Sequence, residues 1–292
     1  MKLVSDKELA SKMSGRLMKN KFYTGLFFVA TSFGLIVLAV LLFRIFSQGI
    51  GYLNLDFLTN FASRRPADAG IKSAIYGTVW LMVVTAPIAF ILGVGTAVYL
   101  EEYAKKGKFT RVVQMNITNL AGVPSIVFGL LGLTLFVRGL ELNRSVLAGA
   151  LTMSLLILPI IVVASQEAIR AVPRELREAS LGMGATKWQT IRRVVFPAAL
   201  PGILTGNILA LSRAIGETAP LIMIGALTYV AFVPTNLLSQ FTVMPIQIFN
   251  WTSRPQEEFH YVAAAGIIVL LVMLLIMNSI AVYIRNKFQR HY

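Results

Sequence analysis

The sequence predicts an all-α membrane protein with six transmembrane helices. Three observations carry that prediction: a strongly apolar composition, six apolar stretches of spanning length, and a lopsided distribution of basic residues between them. Of 292 residues, 56% are hydrophobic and 14% charged, against about half and a quarter in soluble domains. A net charge of +14 suits nucleic acid only where the bases form a groove interleaved with aromatics. Here they sit between long apolar runs, so membrane charge bias explains them and no nucleic-acid partner is expected. The chain has no cysteine, which excludes disulfides and thiolate metal sites. The two histidines, His260 in a predicted loop and His291 in the tail, are too far apart in sequence to suggest a metal centre.

A helix rising about 1.5 Å per residue needs roughly 20 residues to cross the hydrocarbon layer. The qualifying stretches are 22–43, 74–100, 112–137, 146–165, 203–233 and 261–284. The second, third and fifth are long enough to tilt or break. The first follows a basic tail, but its apolar run is too long for a signal peptide and no small-x-small site follows, so it reads as an uncleaved anchor. With the N-terminus inside, 19 Lys and Arg fall on cytoplasmic segments and 7 on external ones, with Arg213 inside a span. The positive-inside rule therefore places both termini in the cytoplasm and residues 44–73 and 234–260 outside. Trp80 and Trp251 fit interfacial anchors or packing. Asn116-Ile117-Thr118 matches a glycosylation sequon, but its place at the cytoplasmic end of a span makes it meaningless.

The longest cytoplasmic segment between spans, AIRAVPRELREASLGMGATKWQTIRRVVFPAALPGI, describes two short helices joined by a turn. Pro173 suits a first helical position. Arg174 and Glu178 are four apart and can pair on one face, while Leu176, Ala179 and Met183 form an apolar stripe. Gly182 and Gly184 permit a helix end, and Thr186 with Gln189 makes a capping box before Lys187 and Trp188. Pro197 and Pro201 are expected to end the second helix. By composition alone this is equally a surface connector. Glu178, Ala179, Gly184, Val194 and Pro197 resemble the EAA loop of bacterial ABC-importer permeases in identity and spacing. Ser180, Val194 and Phe196 depart from its commonest residues conservatively. The resemblance implies a type I ABC importer permease fold and a coupling loop over 173–197 that docks a separate ATPase subunit. No Gly-x-x-x-x-Gly-Lys-Ser/Thr run occurs, so no phosphate-cradling nucleotide loop is expected in this chain and no cofactor is assigned to it. ATP-Mg belongs to the partner.

The fifth stretch contains LSRAIGETAPLIMIG, with Arg213 and Glu217 four apart. A central Arg is disfavoured by about 2.5–3.5 kcal/mol on insertion scales, so neither charge should face lipid. Pro220 has no N–H for the carbonyl of Gly216, which predicts a kink or break beside the pair, and broken helices build ligand sites at membrane depth. A structural ion pair between helices fits the same residues. Pro124 and Ser125 predict a second kink with a hydroxyl on the pathway or bonded to its own backbone. The string RAIGETAPL closely resembles the signature of phosphate-importer permeases, nearer the PstA than the PstC type, and LAGVPSIVFGLLG and AGIKSAIYGTVWL agree. The resemblance covers residues 69–285. Arg213, Glu217, Thr218 and Ser125 are the candidate pathway residues, and the resemblance implies a second permease of PstC type, a PstB-type ATPase dimer and an external PstS-type phosphate-binding protein.

Three parts are thus expected: a tail, anchor and external loop over 1–68, the transport domain over 69–285, and a cytoplasmic tail over 286–292. The rival readings are a permease for another oxyanion, a proton-coupled secondary transporter, which would need no docking loop, and an intramembrane enzyme. The last lacks an intramembrane His and a Gly-x-Ser-x-Gly string. The chain is expected to be no enzyme itself.

Overall fold

A computed structural model describes residues 6–105, 107–226 and 229–288. His291, Lys106 and the outermost parts of both tails lie outside the described residues. Regular structure among the described residues is helical, apart from one isolated antiparallel bridge between Ser145 and Gln240. The helices are α1 (Asp6–Gly49), α2 (Leu55–Thr59), α3 (Lys72–Val98), α4 (Lys108–Leu120), α5 (Ser125–Gly132), α6 (Val146–Arg170), α7 (Arg174–Gly182), α8 (Lys187–Thr190), α9 (Phe196–Gly216), α10 (Ala219–Met223), α11 (Met244–Thr252) and α12 (Glu257–Phe288). Wide π-turns prolong α3 over Tyr99–Tyr103 and α5 over Leu133–Gly139, and a third at Ile191–Val195 joins α8 to α9. His260 lies in the first turn of α12, not in a loop.

Five continuous helical stretches are long and apolar enough to cross a membrane: Arg16–Tyr52, Lys72–Tyr103, Val146–Arg170, Lys187–Gly216 and Glu257–Lys287. The expected third span is not one helix. Its halves, Lys108–Leu120 and Ser125–Gly139, meet at 104°, because Pro124 lacks an N–H for the carbonyl of Leu120 and its ring crowds that turn. The expected fifth span is also displaced. It begins at Lys187, passes through Pro197 and Pro201, and stops at Gly216, and the short α10 follows as a separate helix. The π-turn at Ile191–Val195 immediately precedes Pro197, so the ring that would clash with the Arg193 carbonyl meets a widened turn.

The core lies between α3, α6 and α9, where Leu81, Met153, Ile157, Ile161, Ile203 and Ala210 are buried. Small residues bring the backbones together, as membrane packing without a hydrophobic drive requires. Gly202 lies against Ala168, where a Cβ would come within 2.8 Å of the alanine Cβ, and Gly206 lies against Ala164. A second cluster caps the end formed by the starts of α3 and α12. There Trp251 is fully buried beside Phe57, with ring centroids 5.9 Å apart, which settles this tryptophan as packing. Asn54 caps α2 by accepting from the Phe57 N–H at 2.7 Å, and Ile71 N–H donates to the Phe57 carbonyl at 2.8 Å. Residues 16–41 of α1 stand clear of the bundle, and Gly49 is its buried contact with α12.

Candidate translocation site and coupling loop

The depth of the charged pair follows from helix register. Gly202 faces Ala168 and Gly206 faces Ala164, so α9 runs antiparallel to α6, advancing four residues for each four retraced. Arg213 therefore lies level with Ile157, about half-way along α6 and about 18 Å of helix rise from either end. The Ser212 hydroxyl hydrogen-bonds Asn278 of α12 at 2.6 Å. Arg213 occupies the last turn of α9, and Glu217 is its C-cap in extended conformation. Arg213 Nε donates to Glu217 Oε1 at 3.2 Å. The Glu217 side chain is 17% exposed and that of Arg213 is 55% exposed. In a bilayer, a guanidinium this open at mid-depth needs a second subunit or an aqueous path beside it.

The break predicted at Pro220 is present: α9 stops at Gly216, Thr218 is the N-cap of α10, and Pro220 is buried. What the sequence did not announce is that this break packs on the other one. A Cβ on Gly129 of α5 would lie 2.7 Å from Pro220 Cα and 2.9 Å from Met223 Cβ. Gly132 in turn faces Thr152 of α6, which sets Ser125, seven residues earlier, near the same depth as Arg213. Two interrupted helices thus meet at mid-height, with Arg213, Glu217 and Thr218 on one and Ser125 on the other. Gly129→Val is expected to destabilise the protein by about 1–3 kcal/mol through overpacking, read as a lower thermal midpoint in detergent. An unchanged midpoint would contradict this contact.

At the opposite end from Trp251, the loop after α6 has the expected two helices. α7 ends in a Schellman turn: Gly184 has φ +84, its N–H donates to the Leu181 carbonyl at 2.9 Å, and the Ala185 N–H donates to the Ser180 carbonyl at 3.2 Å. Thr186 and Gln189 form the predicted capping box. The Ser180 and Thr190 hydroxyls, 2.9 Å apart, tie the two helices together. Glu178, Ala179, Lys187, Trp188, Leu176 and Met183 are exposed, the last at 89%. Arg174 and Glu178 line one cleft but are not among the ion pairs of the described residues; their neighbour Arg177 is paired instead.

Arg177 anchors the loop. Its terminal nitrogens donate to the Val172 and Ile169 carbonyls, both at 2.7 Å, and lie 3.3 Å from Glu102. Arg170 grips Glu101 with two bonds of 2.9 and 2.6 Å, and Gln166 bridges Glu101 to Gln114. Lys187 Nζ sits 5.1 Å from the Tyr103 ring centroid. The π-turn at Tyr99–Tyr103 carries both glutamates, so α3 and α6 share the base of the loop. Sequence reasoning missed Glu101 and Glu102; two adjacent acids on an otherwise basic segment between spans were the available signal.

Broken helices around a charged pair at mid-depth, with an exposed capped loop at one end, define a multi-pass membrane transport domain. Residues 89–290 match the family described as binding-protein-dependent transport system inner membrane component, and the chain belongs to it. It is 31% identical to the probable ABC transporter permease protein YqgI of Bacillus subtilis, over 91% of this chain and 95% of that protein. It is 34% identical to phosphate transport system permease protein PstA 1 of Mycobacterium tuberculosis H37Rv, over 92% of this chain and 88% of the relative. Among solved structures, it resembles a bacterial ABC transporter involved in import of the acidic polysaccharide alginate, with TM-score 0.65 and 18% identity over 94% of this chain and 100% of that one. The MetNI methionine ABC transporter in an inward-facing conformation gives TM-score 0.62 and 19% identity over 74% and 95%. These likenesses show the type I ABC importer permease fold.

Proposed function

We propose that this chain is the permease subunit of an ATP-driven importer that carries inorganic phosphate into a bacterial cell, across its inner membrane. The observation that carries the proposal is the Arg213–Glu217 pair at mid-depth, held on a broken helix with the guanidinium more than half exposed. Arginine offers planar paired donors to a tetrahedral oxyanion, and the carboxylate limits how tightly the anion sits and accepts its proton. Thr218 and Ser125 add hydroxyls at the same level. Relatives named phosphate transport system permease proteins support the substrate.

The open face of Arg213 is taken to meet a second, PstC-type permease. The loop over 173–197 docks a PstB-type ATPase dimer that hydrolyses ATP-Mg, and a PstS-type binding protein delivers phosphate at the far end. This chain binds no cofactor of its own, and residues 69–285 are the transport domain. Loss of phosphate uptake on deleting the chain, with sulfate and phosphonate uptake unchanged, is the test; equal loss of all three would refute the substrate. On this reading both termini lie in the cytoplasm, as the distribution of Lys and Arg supports. Because the chain has no cysteine, Leu55→Cys should react with an impermeant thiol reagent from outside and Lys108→Cys should not. The reverse pattern would invert the topology.

A further inference from the structure

Seven basic residues lie on segments assigned to the outer side, against the bias that keeps arginine and lysine inside. The fold gathers three of them. Arg64, Arg65 and Arg254 line one cleft of about 650 Å³ with Ser63, Asp68 and Tyr229. It lies beside the cap around Trp251, at the end opposite the coupling loop. Its walls come from three segments far apart in sequence: the stretch between α2 and α3, the chain after α10 that carries Tyr229, and the turn between α11 and α12. The first and last of these are fixed. The Arg65 N–H donates to Ser63 Oγ at 3.1 Å, and the Gly70 N–H donates to the Phe61 carbonyl at 2.9 Å. The Arg254 guanidinium stacks on Phe259, with its carbon 4.2 Å from the ring centroid, and the Arg254 N–H donates to the Trp251 carbonyl at 3.2 Å.

None of the three arginines is in an ion pair among the described residues, although Asp68 shares the cleft. Three guanidinium groups against one carboxylate leave two positive charges, matching a doubly charged oxyanion. Asp68 is an acceptor for an anion that still carries a proton, and the Tyr229 and Ser63 hydroxyls are further donors. A concave patch with a net positive charge concentrates anions and raises their rate of encounter.

We propose that this cleft is a second, outer oxyanion site, a low-affinity station that collects hydrogen phosphate before it reaches Arg213. The phosphate identity rests on the proposed function; the oxyanion chemistry rests on the cleft alone. The occupant is a small tetrahedral anion, not an acidic protein face, because the charged groups line a single cleft of small-molecule size and Asp68 can bond the proton of hydrogen phosphate.

The test uses the full chain in nanodiscs of neutral lipid at about 10 mM salt, where surface charge is weakly screened, and measures retention of radiolabelled inorganic phosphate and sulfate. An Arg213→Gln background removes the central site. Phosphate retention is expected to persist in that background and to fall at least about five-fold on adding Arg64→Gln, Arg65→Gln and Arg254→Gln, and to weaken steeply with salt. The double Arg64→Gln, Arg65→Gln variant, which leaves the Phe259 stack untouched, should give an intermediate loss with unchanged elution as a folded particle. Asp68→Asn should lower the ratio of phosphate to sulfate retained. Arginine-dependent retention of sulfate without phosphate would keep the outer site and overturn phosphate as the transported anion. Wild-type retention of both anions in the triple variant, whether or not it loses affinity for an acidic protein, would overturn the outer site.

Discussion

Arg213→Lys is expected to lower phosphate uptake per assembled complex by about ten-fold, the loss of one charge-assisted hydrogen bond worth about 1.5 kcal/mol. Nε of Arg213 is held by Glu217 at 3.2 Å, so the two terminal nitrogens are the ones free to take two oxygens of an anion. A lysine ammonium at this site has no such division of labour: it must serve either the carboxylate or the anion. Glu217→Gln removes the charge that balances Arg213 at mid-depth, and a comparable loss of turnover is expected even where the anion still binds. The measurement is the initial uptake rate divided by the amount of assembled complex. If the pair were only structural, the amount of complex would fall while the normalised rate stayed near wild type. That result would sink the pathway assignment.

Gly184→Pro is expected to uncouple the machine. Proline fixes φ near −65°, whereas Gly184 has φ +84, and it also removes the N–H that Leu181 receives. The Schellman turn cannot survive both changes, so α7 and α8 lose the angle at which they present Glu178 and Trp188. Substrate-stimulated ATP hydrolysis by the assembled complex should drop by about ten-fold or more, as for a docking element costing over 1.4 kcal/mol, with membrane insertion intact. Glu178→Lys, at an exposed position, should act in the same direction through charge alone. Normal stimulation in both variants would show that the ATPase subunit docks elsewhere.

Local chemistry was legible in the sequence where the cause is local. The Thr186 capping box and the Gly184 helix end need only neighbours within five residues, and both are present. The prolines were harder. Pro124 and Pro220 do break helices, but Pro197 and Pro201 do not, because Ile191, Val195 and Ile203 are buried in the core and hold the helix through the π-turn. Local chain preference is the same at all four; packing from distant segments differs. The same reason hid Arg177 and Arg170, whose partners Glu102 and Glu101 lie in a helix far back along the chain. Arg213 and Glu217 were legible as a pair from their spacing. Their place within a span was legible from the apolar flanks, but their level against α6 was not, since it rests on which glycine of α9 meets which alanine of α6.

The first helix has a mechanical consequence. Residues 16–41 stand clear of the bundle and Gly49 is the buried contact, so α1 behaves as a cantilever clamped at one end. A Cβ at Gly49 would lie 2.7 Å from the Ala264 carbonyl carbon and the Ala265 nitrogen, which fixes the fulcrum tightly. At about 1.5 Å per residue, the arm from Gly49 to Arg16 is about 50 Å long, so a tilt of about 5° at the fulcrum sweeps its free end through about 4 Å. The small residues at the clamp therefore set where the arm pivots, and its length sets how far a small tilt carries its free end.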